Sequence, residues 1–170
     1  MTSLVMSFIG RDKPGLVGLL SKTIAEHKGN WQESGMSRLG GQFAGILVIQ
    51  VAEEEQDALI QALTDLEGQG LKVSVERSDE TEADTPTRAI TLDLIGHDKP
   101  GIVRDISRAL AEMQINVHKM QTELTSGSMS GELLFRASAE LQVPTPVDLN
   151  ELQDRLEAIA SDLMVDITLN

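Results

Sequence analysis

One short charged turn occurs twice in this chain and offers the clearest chemistry in the sequence. Gly10-Arg11-Asp12-Lys13-Pro14-Gly15 returns as Gly96-His97-Asp98-Lys99-Pro100-Gly101, each time ahead of a stretch with helical periodicity. A helix start presents free N–H groups and the positive end of the helix dipole, which suits a carboxylate. Glycine lets a ligand approach the backbone closely, and aspartate accepts hydrogen bonds from an ammonium group. The turns therefore suit a free amino acid, while a simple helix-capping role for the aspartates stays open.

The two turns belong to a longer repeat with an offset of 86 residues in a chain of 170. Aligning residues 10–31 with residues 96–117 gives ten identities in 22 positions, far above chance. Two copies of such a long period indicate a domain duplication rather than a solenoid. We predict a first domain over residues 1–78, a polar linker over 79–87 and a second domain over 88–170.

The order of elements in each half follows from its hydrophobic periodicity and its turn residues. Ile90, Leu92 and Leu94 alternate with Thr91 and Asp93, as expected for a half-buried strand, and the matching positions Leu4, Met6 and Phe8 are apolar too. Proline and glycine then introduce a helix, and glycine-rich turns introduce a hairpin at 40–41 and at 126–128. A second apolar helical stripe and a closing strand complete the half. The prediction is an α+β fold of two tandem ferredoxin-like βαββαβ domains. The apolar positions of the predicted helices are Leu16, Val17, Leu20 and Ile24; Leu59, Leu63 and Leu66; Ile102, Val103, Ile106, Leu110 and Met113; and Leu152, Leu156, Ile159 and Leu163.

Composition narrows the range of functions. The net charge is −13 and is shared by both halves, so neither half has the basic face needed to bind nucleic acid. We interpret the acidic runs 53–55 and 79–82 as a solvated helix start and part of the linker. The absence of cysteine excludes disulfides and thiolate chemistry. We read no signal peptide and no membrane span, and expect a cytoplasmic protein.

The repeated turn, together with an asparagine at the start of the second strand (Asn30 and Asn116), resembles the ACT domain, a ferredoxin-like amino-acid-sensing module. The resemblance covers both halves and implies a non-catalytic regulatory protein with neither a cofactor nor a metal. It implies that ligand sites lie between paired domains, with the turn of each facing the asparagine of the other. The residues it implicates are Gly10, Asp12, Lys13, Gly15, Leu16, Val17 and Asn30 in the first half, and Gly96, Asp98, Lys99, Gly101, Ile102, Val103 and Asn116 in the second.

A pair of ACT domains without an enzyme is similar to the transcriptional repressors of the glycine cleavage system. This similarity favours glycine as the ligand and a protein partner such as a transcriptional activator, with a homo-oligomer as a further option. Serine-binding ACT domains carry a histidine two residues before the position of Asp12 and an asparagine in place of that aspartate. Here glycine stands at the first position, so the identity of the ligand stays open.

The alternatives to an amino-acid sensor are enzymes, RNA-binding domains, metal sites and interaction modules. Acylphosphatases share the fold, but Arg11 is followed by a carboxylate and is replaced by His97 in the second copy. RNA-binding domains of this fold need aromatic and basic residues on the third strand, whereas each copy has a single aromatic residue there, Phe43 or Phe135, and the chain is acidic. The serines lack the sequence context of a hydrolase triad, and the histidines lack the spacing of metal ligands. The serious alternative is a ligand-free module for interaction or oligomerisation that regulates a metabolic enzyme. Its contacts would use the sheet face away from the helices or a free strand edge, with Met36, Met120 and Met129 as candidates.

Overall fold

The computed structural model of the protein describes residues 2–78, 85–127 and 131–170. The chain divides into two compact units, Met1–Thr81 and Glu82–Asn170. Each unit has its own four-stranded sheet and its own hydrophobic core. The predicted linker residues 79–84 lie outside the described residues, as do Ser128 and Met129.

The first unit has the predicted element order. Its members are β1 (Thr2–Arg11), α1 (Leu16–Glu26), β2 (Asn30–Leu39), β3 (Gln42–Val51), α2 (Gln56–Thr64) and β4 (Leu71–Arg77). The strands pair antiparallel in the spatial order β2-β3-β1-β4. The second predicted helix is shorter than its apolar stripe suggested, because Leu66 lies in a 3-10 turn over Asp65–Gln69. The acidic run Glu53–Glu55 forms a second 3-10 turn ahead of α2.

The second unit repeats this architecture. It consists of β5 (Thr87–His97), α3 (Ile102–Glu112), β6 (Asn116–Ser126), β7 (Leu133–Pro144), α4 (Leu149–Leu163) and β8 (Val165–Leu169). The spatial order β6-β7-β5-β8 matches that of the first unit, and all pairs are antiparallel. The predicted fold class, two tandem α+β units, is confirmed. β5 begins at Thr87, the last residue of the predicted linker.

Buried residues occur at every second position of the central strands, and these residues form the surface on which the helices pack. Leu4, Met6 and Phe8 are buried, and the residues between them are more exposed. They share one core with the i, i+4 stripe Leu16, Leu20, Ile24 of α1 and with apolar residues of α2. Val17 and Val103 were predicted to join the helical stripes, but they lie outside the cores, 45% and 40% exposed. Each stands one residue beyond the i, i+4 line and therefore points away from the sheet.

Candidate functional site

In the first unit the charged turn connects the end of β1 at Arg11 to the start of α1 at Leu16. Gly15 precedes the helix with a φ of 93°, in the left-handed region that favours glycine. The Asp12 N–H donates to the carbonyl oxygen of Gly41 over 3.0 Å. This hydrogen bond fixes the turn against the β2–β3 hairpin, so its position depends on two separate elements.

The second unit reproduces the backbone of this turn. Gly101 has a φ of 94° ahead of α3. The Asp98 N–H donates to the Leu133 carbonyl oxygen over 3.1 Å, again at the start of the third strand. The two turns are therefore the same structure built twice, and their differences lie in side chains.

The starts of α1 and α3 have no side-chain cap, because the capping residue is glycine in both. The start of α4 shows the alternative: the Asp148 carboxylate accepts a hydrogen bond from the Asn150 N–H over 2.9 Å. Among the described residues, neither Asp12 nor Asp98 accepts a hydrogen bond from an amide of the helix that follows it. The geometry therefore gives no support to the capping interpretation of these two aspartates.

Gly10 and Gly96 are explained by packing. A Cβ on Gly10 would stand 2.7 Å from the carbonyl oxygen of Gly70, and one on Gly96 would stand 2.4 Å from Cγ1 of Val165. These distances are far inside van der Waals contact, so the fourth strand of each unit leaves no room for a side chain. The histidine of serine-binding ACT domains is thus sterically incompatible with these two positions.

The other residues implicated around the turns divide between core and surface. Leu16 and Ile102 are buried in their respective cores. Val17 and Val103 are exposed in the first turn of the helix that follows each charged turn. The Lys13 ammonium group donates to the Gln69 carbonyl oxygen over 3.3 Å, which links the turn to the segment before β4. Lys99, its counterpart, is partly buried.

Asn30 and Asn116 are not close to the turn of their own unit. Asn30 begins β2 and stands opposite Gln50, whereas Arg11, at the end of β1, stands opposite Gln42. Eight residue steps along β3 separate these positions, about 26 Å at the usual strand rise. The second unit places Asn116 opposite Gln142 in the same way. The expectation that each asparagine completes the turn of the other unit stays a prediction.

The side chains around the two turns differ in charge. Arg38 Nε lies 2.7 Å from Asp12 Oδ2 and forms an ion pair with it. Arg38 is not among the residues that the sequence predicts for the site, and the repeat offset places the neutral Leu124 at the corresponding position. In the second unit His97 Nδ1 lies 3.0 Å from Glu132 Oε2. Among the described residues, Asp98 forms no ion pair and no side-chain hydrogen bond.

Two negative findings concern the described part of the chain. It contains no group of three histidine, aspartate or glutamate side chains arranged to hold a metal ion. None of its helices is both long and apolar enough to cross a membrane.

Comparison with known proteins supplies the family. Sequence models of the ACT domain match residues 2–76 and residues 87–161. A solved protein of unassigned function from Galdieria sulphuraria is 30% identical, covers 99% of this chain and 97% of its own, and superimposes with a TM-score of 0.83. A solved protein named as a candidate glycine cleavage system transcriptional repressor is 19% identical, with coverage of 99% and 96% and a TM-score of 0.73; at this identity the likeness concerns the fold.

A curated relative matches a smaller part of the chain. The UPF0237 protein MK1213 of Methanopyrus kandleri is 33% identical over 55 residues, which is 32% of this chain. The match spans 61% of that relative's length.

Proposed function

This chain belongs to the ACT-domain family, with two such domains in tandem, and we propose that it is a non-catalytic, amino-acid-responsive regulator. Binding of a small amino acid at the charged turns would change its contact with a protein partner. Glycine is the favoured ligand, and a transcriptional activator of the glycine cleavage system is the favoured partner. The proposed place of action is the cytoplasm.

The observation that carries this proposal is the pair of uncapped helix starts, each behind a left-handed glycine and beside an aspartate. The first N–H groups of an α-helix have no partner within the helix, and they favour an anion. A carboxylate at this point neutralises the end of the helix dipole, while Asp12 or Asp98 accepts hydrogen bonds from the ammonium group. A zwitterionic amino acid carries both groups at a fixed separation.

A regulator that does not catalyse a reaction must act by contacting another protein. The first unit has a surface suited to such a contact. Ile9, Leu39 and Ile46 are 45%, 75% and 59% exposed. Strand alternation and register place all three on the sheet face opposite the buried Leu4, Met6 and Phe8. An exposed apolar patch of this kind is typical of a protein–protein contact. Met36 is not part of this face, because it is half-buried and packs against the core.

The test is a calorimetric and thermal-unfolding screen of the intact chain against the twenty amino acids. A ligand at about 100 times its dissociation constant stabilises the fold by about 2.7 kcal/mol, which is a shift of several degrees. Asp98→Ala is expected to abolish or strongly weaken that response. Asp93→Ala is the matched control. Asp93 carries the same charge as Asp98, but it is exposed in the middle of β5, on the face opposite the buried Leu92 and Leu94 and away from the turn. Equal responses of both variants and the parent would refute the proposed site.

The same screen addresses the second candidate function, a ligand-free interaction module. The exposed apolar face of the first unit favours this alternative, because that face can contact another protein without a bound small molecule. Failure of every amino acid to change either signal would leave the interaction module as the function that the geometry supports.

A further inference from the structure

The two turns have the same backbone conformation, but the side chain next to each aspartate differs in charge. In the first unit the Arg38 guanidinium lies on the Asp12 carboxylate, 2.7 Å from Nε to Oδ2. In the second unit no described side chain takes the corresponding place on Asp98. Such a pair has the same chemistry that an aspartate would use toward the ammonium group of an amino acid. Arg38 therefore competes directly with a ligand for Asp12.

Strand register shows that positions 38 and 124 are structurally equivalent. In the first sheet Phe43 stands opposite Gly10 of β1 on one side and Arg38 of β2 on the other. In the second sheet Phe135 stands opposite Gly96 and Leu124 in the same manner. Leu124 is 54% exposed and carries no charge. The duplication has thus placed an arginine at one copy of this position and a leucine at the other.

The helix starts differ in the complementary sense. Arg104 of α3 places Nη2 2.9 Å from the point where a Cβ on Gly101 would stand, so its guanidinium lies directly over the turn. Its Nε donates to Asp105 Oδ1 over 3.1 Å, which orients the group from the other side. The corresponding residue of α1 is Gly18, which offers no side chain. The second turn therefore has a cation for a carboxylate, and its aspartate, which pairs with no described side chain, can accept hydrogen bonds from an ammonium group.

We infer that the two sites of the proposed sensor are unequal: the second turn is the high-affinity site, and Arg38 holds the first turn closed as an internal substitute for the ligand. This inference rests on the proposed function and assigns positions 38 and 124 as its specificity determinants. The Arg38–Asp12 pair is exposed, so the expected difference in affinity is about fivefold, the equivalent of about 1 kcal/mol.

The experiment uses the amide signals of Gly15 and Gly101 in ¹⁵N–¹H NMR spectra as one reporter for each turn. Glycine is titrated first, followed by the amino acid with the largest thermal shift. In the parent chain the midpoint at Gly101 is expected at about one fifth or less of the concentration found at Gly15, because the Arg104 cation adds to the effect of Arg38. Arg38→Leu should lower the Gly15 midpoint about fivefold, and Leu124→Arg should raise the Gly101 midpoint by a similar factor.

Arg77→Leu is the matched control. It removes the same charge from the first unit, but Arg77 stands opposite Leu4, at the other end of β1 from Asp12. This variant should leave both midpoints unchanged. Equal midpoints in the parent, or an unchanged Gly15 midpoint in Arg38→Leu, would overturn the inference while leaving the proposed function intact. Silence of both reporters in every variant would contradict the proposed function and remove the inference with it.

Discussion

At the scale of single residues, the glycine at the end of each first strand illustrates how packing can imitate a functional motif. Gly10 belongs to the repeated turn motif, yet its Cα faces the backbone at the start of β4. Gly18, by contrast, lies on α1 with no atom within 4 Å of the place where a Cβ would stand. The same residue type therefore has opposite requirements at two positions eight residues apart.

Replacement of Gly10 tests this distinction. Gly10→Ala should lower the free energy of unfolding by about 1–3 kcal/mol, because the new methyl group meets the Gly70 carbonyl oxygen. Gly18→Ala, the matched control, should raise it by up to about 1 kcal/mol through helix propensity. Urea unfolding monitored by circular dichroism measures both values. An unchanged midpoint for Gly10→Ala would mean that β4 can move away at no cost.

At the scale of elements, the C-termini of α1 and α3 share an unusual feature. Lys28 and Gln114 have φ values of 60°, although neither is glycine. The Gly29 N–H donates to the Ile24 carbonyl oxygen, and the Ile115 N–H donates to that of Leu110. These bonds form a Schellman-type ending, which glycine normally accommodates best. Lys28 gains a partner in return: its hydrogen bond with Glu55 and the attraction of that carboxylate raise its pKa.

Gln114→Gly is therefore expected to stabilise the protein by about 1 kcal/mol, since the left-handed conformation costs glycine almost nothing. Gln114→Ala is the companion variant, because it removes the side chain and keeps the unfavourable conformation. Thermal unfolding should rank the glycine variant above the parent and the alanine variant at or below it. The reverse order would show that the Gln114 side chain, rather than its backbone angle, decides stability at this helix end.

The element scale also shows how far periodicity alone can predict this fold. Alternation in β5 and the i, i+4 spacing of Leu16, Leu20 and Ile24 were sufficient to predict strand, helix and core face. They could not predict that α2 ends at Thr64, because a 3-10 turn buries Leu66 equally well. Nor did they exclude Val17 from the core, since one residue of helical rotation separates a buried from an exposed position.

At the scale of the whole molecule, net charge is the dominant property. The net charge of −13 is distributed over both halves. An acidic molecule of this kind repels the phosphate backbone of a nucleic acid. The proposed transcriptional role is therefore expected to act through a protein partner rather than through direct contact with DNA.

The chain is accordingly expected to show no binding to duplex DNA at low salt, whether or not an amino acid is present. Fluorescence anisotropy with a labelled duplex measures this directly, and a basic DNA-binding protein serves as the positive control. Saturable binding that weakens as salt rises would establish direct contact with phosphates and refute the charge argument.

The sequence by itself determined the duplication, the order of elements in each unit and the position of the charged turns. These features depend on local spacing: an 86-residue offset, alternation of apolar residues, and glycine and proline at the ends of elements. Only the tertiary structure decided that Gly10 and Gly96 serve packing, that each asparagine lies far from the turn of its own unit, and that Arg38 pairs with Asp12. The contacts of Gly10, Gly96 and Arg38 join segments that are far apart in the chain, and the position of each asparagine follows from strand register. Sheet pairing, which spacing within one strand does not encode, decides all of them.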